Sequence, residues 1–142
     1  MIKMKTKYKF LEHTADVKFQ AFGKTPEKVF ENSALAMKEV ILGKRKIKEK
    51  WKKEIKVRGR DFESLLYNFL EKFLYLLEGE NFIFSRVKKI KIDAEKFRLE
   101  AEITGDKTGN YNISNPVKAV TYNEMFVMRK KGIWKSQVVL DV

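Results

Sequence analysis

The chain has 142 residues, of which 44% are hydrophobic, and its 31 basic and 19 acidic residues give a formal net charge of +12. Residues 1–142 therefore suit a single domain whose core needs no disulfide or structural metal. The absence of cysteine excludes disulfide bonds, thiolate zinc sites and a cysteine nucleophile. The positive charge favours polyanionic partners such as RNA and protein–RNA complexes, and it equally fits a soluble, lysine-rich surface.

The sequence contains no signal for a membrane. No apolar run approaches the ~20 residues that a transmembrane helix needs. Residues 1–9 alternate lysine with apolar side chains and lack the apolar block of a signal peptide. We therefore expect a cytoplasmic protein without a membrane partner.

Alternating polar and apolar residues predict two strands at the start of the chain. Tyr8 and Phe10 share one face of the first strand. In the second strand, Val17, Phe19 and Ala21 alternate with polar or aromatic neighbours up to a glycine. Each strand is therefore expected to be buried on one face.

Capping residues delimit two predicted helices. Thr25 is a typical N-cap, Pro26 suits the first helical position, and Gly43 supplies a stop. Asp61 caps the second helix, which has the broadest apolar face of the chain and is expected to end at Gly79.

The remaining elements are predicted strands, which makes α+β the expected fold class: a mostly antiparallel sheet or sheets packed with two helices. Lys131 and Gly132 suit the tight turn between the last two strands. A polar loop is predicted over residues 105–115. The predicted strands cover residues 54–58, 82–92, 96–104, 117–129 and 133–140.

Nothing in the sequence indicates an enzyme. No glycine-rich phosphate-binding pattern is present. His13 is the only histidine, and no serine occurs in a recognisable nucleophile setting, so a general base with its partner is not apparent. A structural, hydrogen-bonded role for His13 is the simpler interpretation.

Acidic residues occur at the start of one strand and the end of another. Asp16 precedes the second predicted strand, and Asp141 and Val142 follow the last one. If these strands are antiparallel neighbours, both aspartates and the terminal carboxylate of Val142 meet at one edge of the sheet. Such a set of oxygens suits calcium or another hard divalent cation. The alternatives are a solvated acidic tip without metal, or a turn that Asp16 or Thr14 organises.

A basic run occupies residues 44–56 and contains Trp51. Its lysines are able to contact phosphates while the indole stacks on a base, which is the pattern of a single-strand binding surface. The alternative is a solvated charged face, which is the commoner use of such runs.

Several segments, in order along almost the whole chain, resemble signatures of the archease family. The first is Glu12 to Val17, the second is the helix start from Gly23, and the most distinctive is Val117 to Tyr122. The others are residues 61–66 with 74–77, and the ending from Trp134 to Val142.

This resemblance implies an α+β domain with a calcium site formed by Asp16, Asp141 and the terminal carboxylate of Val142. It also implies a non-enzymatic helper of the tRNA-splicing RNA ligase, which joins phosphate or cyclic-phosphate ends of RNA to hydroxyl ends. The helper promotes guanylylation of the ligase and its repeated turnover. The expected partners are therefore the ligase and, through the ligase complex, RNA.

Glu12, His13 and Lys118 are the candidate partner-binding residues. Asn112 and Asn123 stand where family members often have histidines, so a role for such histidines is in doubt in this chain. Two other functions remain open at this point. One is an RNA-binding module acting through residues 44–56, and the other is a chaperone for RNA-modifying enzymes such as methyltransferases.

Overall fold

The structure, a computed structural model, describes residues 6–12 and 15–142. This part of the chain forms two α-helices, a short 3-10 helix (Thr108–Asn110) and seven strands. The helices are α1 (Pro26–Leu42) and α2 (Phe62–Gly79). The strands are β1 (Tyr8–Leu11), β2 (Val17–Gly23), β3 (Trp51–Arg58), β4 (Phe82–Asp93), β5 (Arg98–Lys107), β6 (Ala119–Lys130) and β7 (Ile133–Asp141).

The strands form two sheets, and all neighbouring strands within them are antiparallel. The first sheet has the order β1-β2-β7-β6 and the second has the order β3-β5-β4. Each helix contacts strands of both sheets, and the buried side chains join into one core that includes Phe19, Phe30, Phe69 and Ile103. The predicted α+β class with antiparallel sheets and two helices is confirmed. No helix in the described residues is long and apolar enough to cross a bilayer.

Helix α1 begins and ends as its capping residues predict. The Thr25 hydroxyl accepts a hydrogen bond from the Lys28 amide at 3.1 Å, and Gly43 ends the helix with a positive φ of 69°. Gly23 lies against the first turn of α1, where an added Cβ would be 2.4 Å from the Val29 nitrogen. The turn from β2 into α1 therefore requires glycine at position 23 for lack of space.

Helix α2 begins with a reciprocal pair of cap bonds. Asp61 Oδ1 accepts from the Ser64 amide at 2.7 Å, and Ser64 Oγ accepts from the Asp61 amide at 3.2 Å. Hydrogen bonds to the Asp61 carboxyl from the Ser64 amide and side chain lower its pKa. The predicted end of this helix at Gly79 is confirmed, because Gly79 is its last residue and Glu80 is the C-cap.

The prediction of a polar loop over residues 105–115 is wrong for its first residues. Strand β5 continues through Lys107, and the 3-10 helix follows it directly. Asp106 makes this possible, because its buried carboxylate accepts hydrogen bonds from the Lys107 amide, the Asn110 amide group and the Tyr111 hydroxyl. A carboxylate that is fully provided with donors is able to occupy a buried position in a strand.

A buried hydroxyl pair connects α1 to the first sheet. Ser33 Oγ donates to the Val29 carbonyl at 2.7 Å and lies 2.8 Å from Ser136 Oγ in β7. Ser136 pairs with Ala21 across β2. Because both serines are fully buried, this contact favours one alignment of β7 against the helix.

Strand β6 contains a wide bulge that the prediction of one continuous strand missed. Thr121 pairs with Val139 and Phe126 with Gln137, so residues 122–125 lie opposite the single residue Val138. Glu124 in this bulge has a φ of 54°, and its carbonyl accepts a hydrogen bond from the Gln137 amide group at 2.8 Å. The bulge therefore has a defined conformation.

Candidate functional site at the acidic end of the first sheet

The start of β2 meets the end of β7. The two strands pair from Val17 with Leu140 to Gly23 with Trp134. Asp16 immediately precedes this ladder in one strand, and Asp141 continues it in the other. This ladder confirms the predicted antiparallel neighbourhood of the two strands, and one further step of the same register would bring Asp16 opposite Asp141.

Alternation along both strands places the two aspartates on the same face of the sheet. Lys18 pairs with Val139, which is also fully buried, on the outer face, whereas Phe19 and Val138 belong to the core on the inner face. Asp16 has the same parity as Lys18, and Asp141 has the same parity as Val139. The two carboxylates are therefore expected to share the outer face.

The residues around Asp141 connect this end of the sheet to the segment before β6. Asp141 pairs with Ala119, and its carbonyl accepts a hydrogen bond from the Lys118 amide at 2.7 Å. Lys118 itself is exposed, while Asp16, Asp141 and Val142 are half-buried. Val142 packs against the core, which fits its opposite parity to Asp141. The backbone of Lys118 thus connects the segment before β6 to the acidic end.

The bulge of β6 contributes polar contacts on the same outer face. Lys18 Nζ lies 3.2 Å from the Glu124 carboxylate. The side-chain amide of Gln20 donates to the side-chain oxygen of Gln137 at 2.9 Å. Gln137 in turn donates to the Glu124 carbonyl. These contacts connect β2, β7 and the bulge into one network beside the acidic end.

The donor chemistry at this end fits a hard cation, since the candidate ligands are all oxygens. The described residues contain no group of three His, Cys, Asp or Glu side chains placed to hold a metal ion. A cation held by Asp16 and Asp141 would therefore need further oxygens from the terminal carboxylate of Val142, backbone carbonyls or water. The ligand set of Asp16, Asp141 and Val142 stays a prediction.

The other candidate residues lie near the same end where the structure describes them. Leu11 pairs with Lys18, so the exposed Glu12 follows β1 close to the start of β2. His13 and Thr14 lie outside the described residues, and the roles predicted for them stay predictions. Asn112 and Asn123 are both exposed, and the Asn123 amide donates to the Thr121 hydroxyl within the bulge.

Tyr122 is a feature of this region that the sequence interpretation missed. Its side chain is 53% exposed and stacks on Tyr67 of α2. A signal was available, because Tyr122 ends the distinctive Val117 to Tyr122 segment. Strand alternation alone does not show that four residues leave the ladder at this point.

Comparison with known proteins identifies the family. The model of the Archease protein family matches residues 8–142. The chain belongs to the archease family. It is 41% identical to the protein archease of Methanosarcina barkeri over 139 residues, which is 95% of this chain and 95% of that protein.

Two solved archease-like structures confirm the fold. The solution structure of protein 1598 of Methanobacterium thermoautotrophicum has a TM-score of 0.80 and 32% identity, and covers 96% of this chain and 99% of that chain. A crystal structure from Thermotoga maritima, described as an archease and possible chaperone, has a TM-score of 0.64. It is 20% identical, with 93% of this chain and 94% of that chain covered, and it supports the fold alone. The family resemblance stated from the sequence segments is thereby confirmed.

Proposed function

We propose that this archease is a non-enzymatic activator of the tRNA-splicing RNA ligase, which promotes guanylylation of the ligase and its multiple turnover in tRNA splicing. Membership of the archease family supports this role, because the resemblance of its sequence segments to that family implies a helper of the ligase. The observation that supports the proposal is the β2–β7 register, whose extension by one residue would bring Asp16 opposite Asp141 at one end of the sheet.

In this proposal, Asp16, Asp141 and the terminal carboxylate of Val142 hold a calcium ion or another hard divalent cation. The cation would neutralise carboxylates that otherwise repel one another. The chain's own contribution is to hold these oxygens in place through the strand ladder and the bond from the Lys118 amide to the Asp141 carbonyl. The acidic end then presents a defined, charged surface to the ligase near its active site.

Glu12, His13 and Lys118 are the proposed partner contacts around this end. Lys118 is exposed and its backbone bonds to Asp141, so it presents positive charge to a ligase–RNA complex close to this end. Charges at the rim of an interface mainly accelerate association and fix orientation. Removing the charge of Lys118 should therefore slow formation of the complex more than it reduces stimulation at saturating concentration.

A ligation assay with limiting ligase tests the proposal. Product formed per ligase molecule is followed with and without this chain while calcium is titrated and then removed with a chelator. Asp16→Asn and Asp141→Asn should lose most of the stimulation. Glu95→Gln is the matched control, since it removes one exposed carboxylate in the β4–β5 turn of the second sheet. Stimulation at the wild-type level by both aspartate variants would refute the proposal.

A chaperone for RNA-modifying enzymes such as methyltransferases is the second candidate function. The Thermotoga maritima protein, which shares this fold, is described as a possible chaperone, and that description motivates the test of this function. This function predicts that the chain suppresses light scattering by a heated methyltransferase and leaves the ligation rate unchanged. The activator proposal makes the opposite prediction for ligation, so the two assays together separate the functions.

A further inference from the structure

Trp51 is exposed to an unusual degree for its size. The indole is 52% exposed at the start of β3, where it lines a cavity of about 250 Å³. The other lining residues are Lys52, Lys53, Glu80, Phe82 and Lys107. An exposed aromatic ring surrounded by lysines is costly to keep in water and is typical of a surface that stacks a planar, anionic ligand.

The charges around this ring are strongly positive. Residues 44–53 contain seven basic side chains and one carboxylate, Glu49. Lys107 Nζ lies 5.6 Å from the Trp51 ring centroid. Among the described residues, no carboxylate lies within 4.0 Å of the ammonium groups of Lys48, Lys50 or Lys107. These three cations are therefore available to an external anion.

The nearby carboxylates are already engaged. Glu80 accepts from Lys53 Nζ at 2.5 Å, which neutralises the one acidic group of the cavity. Glu49 accepts from Arg86 at 2.9 Å and from the Thr104 hydroxyl at 2.6 Å. Repulsion of an approaching phosphate by these two groups is correspondingly reduced.

The segment that carries the ring is fixed by hydrogen bonds from neighbouring elements. The Lys50 amide donates to the Gly105 carbonyl at 3.0 Å, and the Lys48 amide donates to the Tyr111 hydroxyl at 2.9 Å. That hydroxyl donates to Asp106, whose side chain is only 1% exposed. The surface is therefore largely preorganised, so binding should cost little ordering of the chain.

We infer that the surface formed by Trp51, Lys107 and the two lysines that precede the ring in the sequence, Lys48 and Lys50, binds single-stranded nucleic acid. One base would stack on the indole, and the flanking phosphates would contact the lysine ammonium groups. A duplex keeps the faces of its bases covered except at the terminal pairs, so it offers Trp51 far less to stack on than a single strand does. The site lies in the second sheet, and its activity requires neither the acidic end of the first sheet nor a ligase.

Fluorescence titration of the chain alone tests the inference. Trp134→Phe leaves Trp51 as the single indole, and the probes are ten-nucleotide oligouridylate, oligothymidylate and a blunt RNA duplex. Oligouridylate should quench the fluorescence, and the duplex should not. Equal binding of the two single strands would assign the site to stacking and phosphate contacts, and tighter binding of oligouridylate would add contacts to the 2′-hydroxyl.

The variants separate stacking from charge. Trp51→Ala, followed by anisotropy of a labelled oligonucleotide, should weaken binding by roughly 5- to 150-fold, and Trp51→Phe should retain much of it. Lys50→Gln with Lys107→Gln should lower the slope of log affinity against log salt by about 1.4, from two lost phosphate contacts.

Lys130→Gln with Lys131→Gln is the control, because it makes the same charge change at the β6–β7 turn. This pair should leave the slope almost unchanged. The inference is overturned if Trp51→Ala binds as wild type, or if the control pair lowers the slope as much as the Lys50 and Lys107 pair.

Discussion

The rings of Tyr67 and Tyr122 are stacked in parallel, with centroids 4.2 Å apart and planes inclined by 8°. Tyr67 belongs to α2, whereas Tyr122 belongs to the bulge of β6. The Glu63 carboxylate also accepts from the Val127 amide at 2.9 Å, so a second bond connects the same helix and strand. The bulge beside the acidic end is thus anchored to α2 at both of its sides.

The stacked pair should make a measurable contribution to folding. Tyr67→Ala, Tyr122→Ala and the double variant form a double-mutant cycle in which the free energy of unfolding is measured by urea denaturation. Parallel aromatic pairs contribute about 0.5–1.5 kcal/mol beyond area burial, and we expect a coupling energy in this range. Additive effects of the two substitutions would mean that the rings do not stabilise each other.

The buried serine pair should respond asymmetrically to substitution. Ser33→Ala leaves Ser136 Oγ without another hydrogen-bond partner among the described residues, which should cost about 1–3 kcal/mol in the free energy of unfolding. Ser136→Ala leaves Ser33 bonded to the Val29 carbonyl, so its cost should be nearer 0.5–1.5 kcal/mol.

The double variant provides the control for this asymmetry. Ser33→Ala with Ser136→Ala removes both hydroxyls and leaves no polar group unpaired, so it should be more stable than Ser33→Ala alone. A double variant that is less stable than either single variant would contradict the hydrogen-bonding pattern on which the prediction depends.

Tyr8 should make folding sensitive to alkaline pH. Burial, with a 2.9 Å hydrogen bond to Glu39 and the charge of that carboxylate, raises the pKa of Tyr8 to about 12. The folded state therefore favours the neutral phenol. The resulting stabilisation is complete below pH 10, the unfolded pKa, and is lost as pH rises towards 12.

Tyr8→Phe supplies the comparison for this pH dependence. Lysines also titrate in this range, so the quantity to measure is the difference in unfolding free energy between wild type and Tyr8→Phe at several pH values. That difference should be constant between pH 8 and 9 and should shrink between pH 10 and 12. A difference that does not change up to pH 12 would show that Tyr8 titrates alike in both states.

Elements with local signals were predictable from the sequence. The caps at Thr25 and Asp61 define the helix starts, because each side-chain oxygen accepts a hydrogen bond from the amide three residues later. Such a bond depends only on neighbouring residues and is therefore visible in the sequence. The alternation of β2 was equally visible. The start of β3 was harder to predict. This strand begins at Trp51 rather than residue 54, because consecutive lysines conceal the alternation of its first residues.

The acidic end of the first sheet was predictable because it needed only two strands and their direction. Asp16 and Asp141 each stand next to a recognisable strand, and the antiparallel pairing follows from there. The surface around it was not predictable in the same way. The bulge depends on Gln137 contacting the Glu124 carbonyl and on Tyr122 contacting Tyr67, and both are tertiary contacts without a sequence pattern.

The contact between Ser33 and Ser136 has a consequence for the accuracy of assembly. If β7 paired one residue out of step, Asp141 would turn to the inner side of the sheet, and Lys135 would take the place of a buried neighbour. Such a molecule would lose its acidic end and its core packing together. Copies in the native register are therefore the more stable ones, and in that register the start of β2 meets the end of β7.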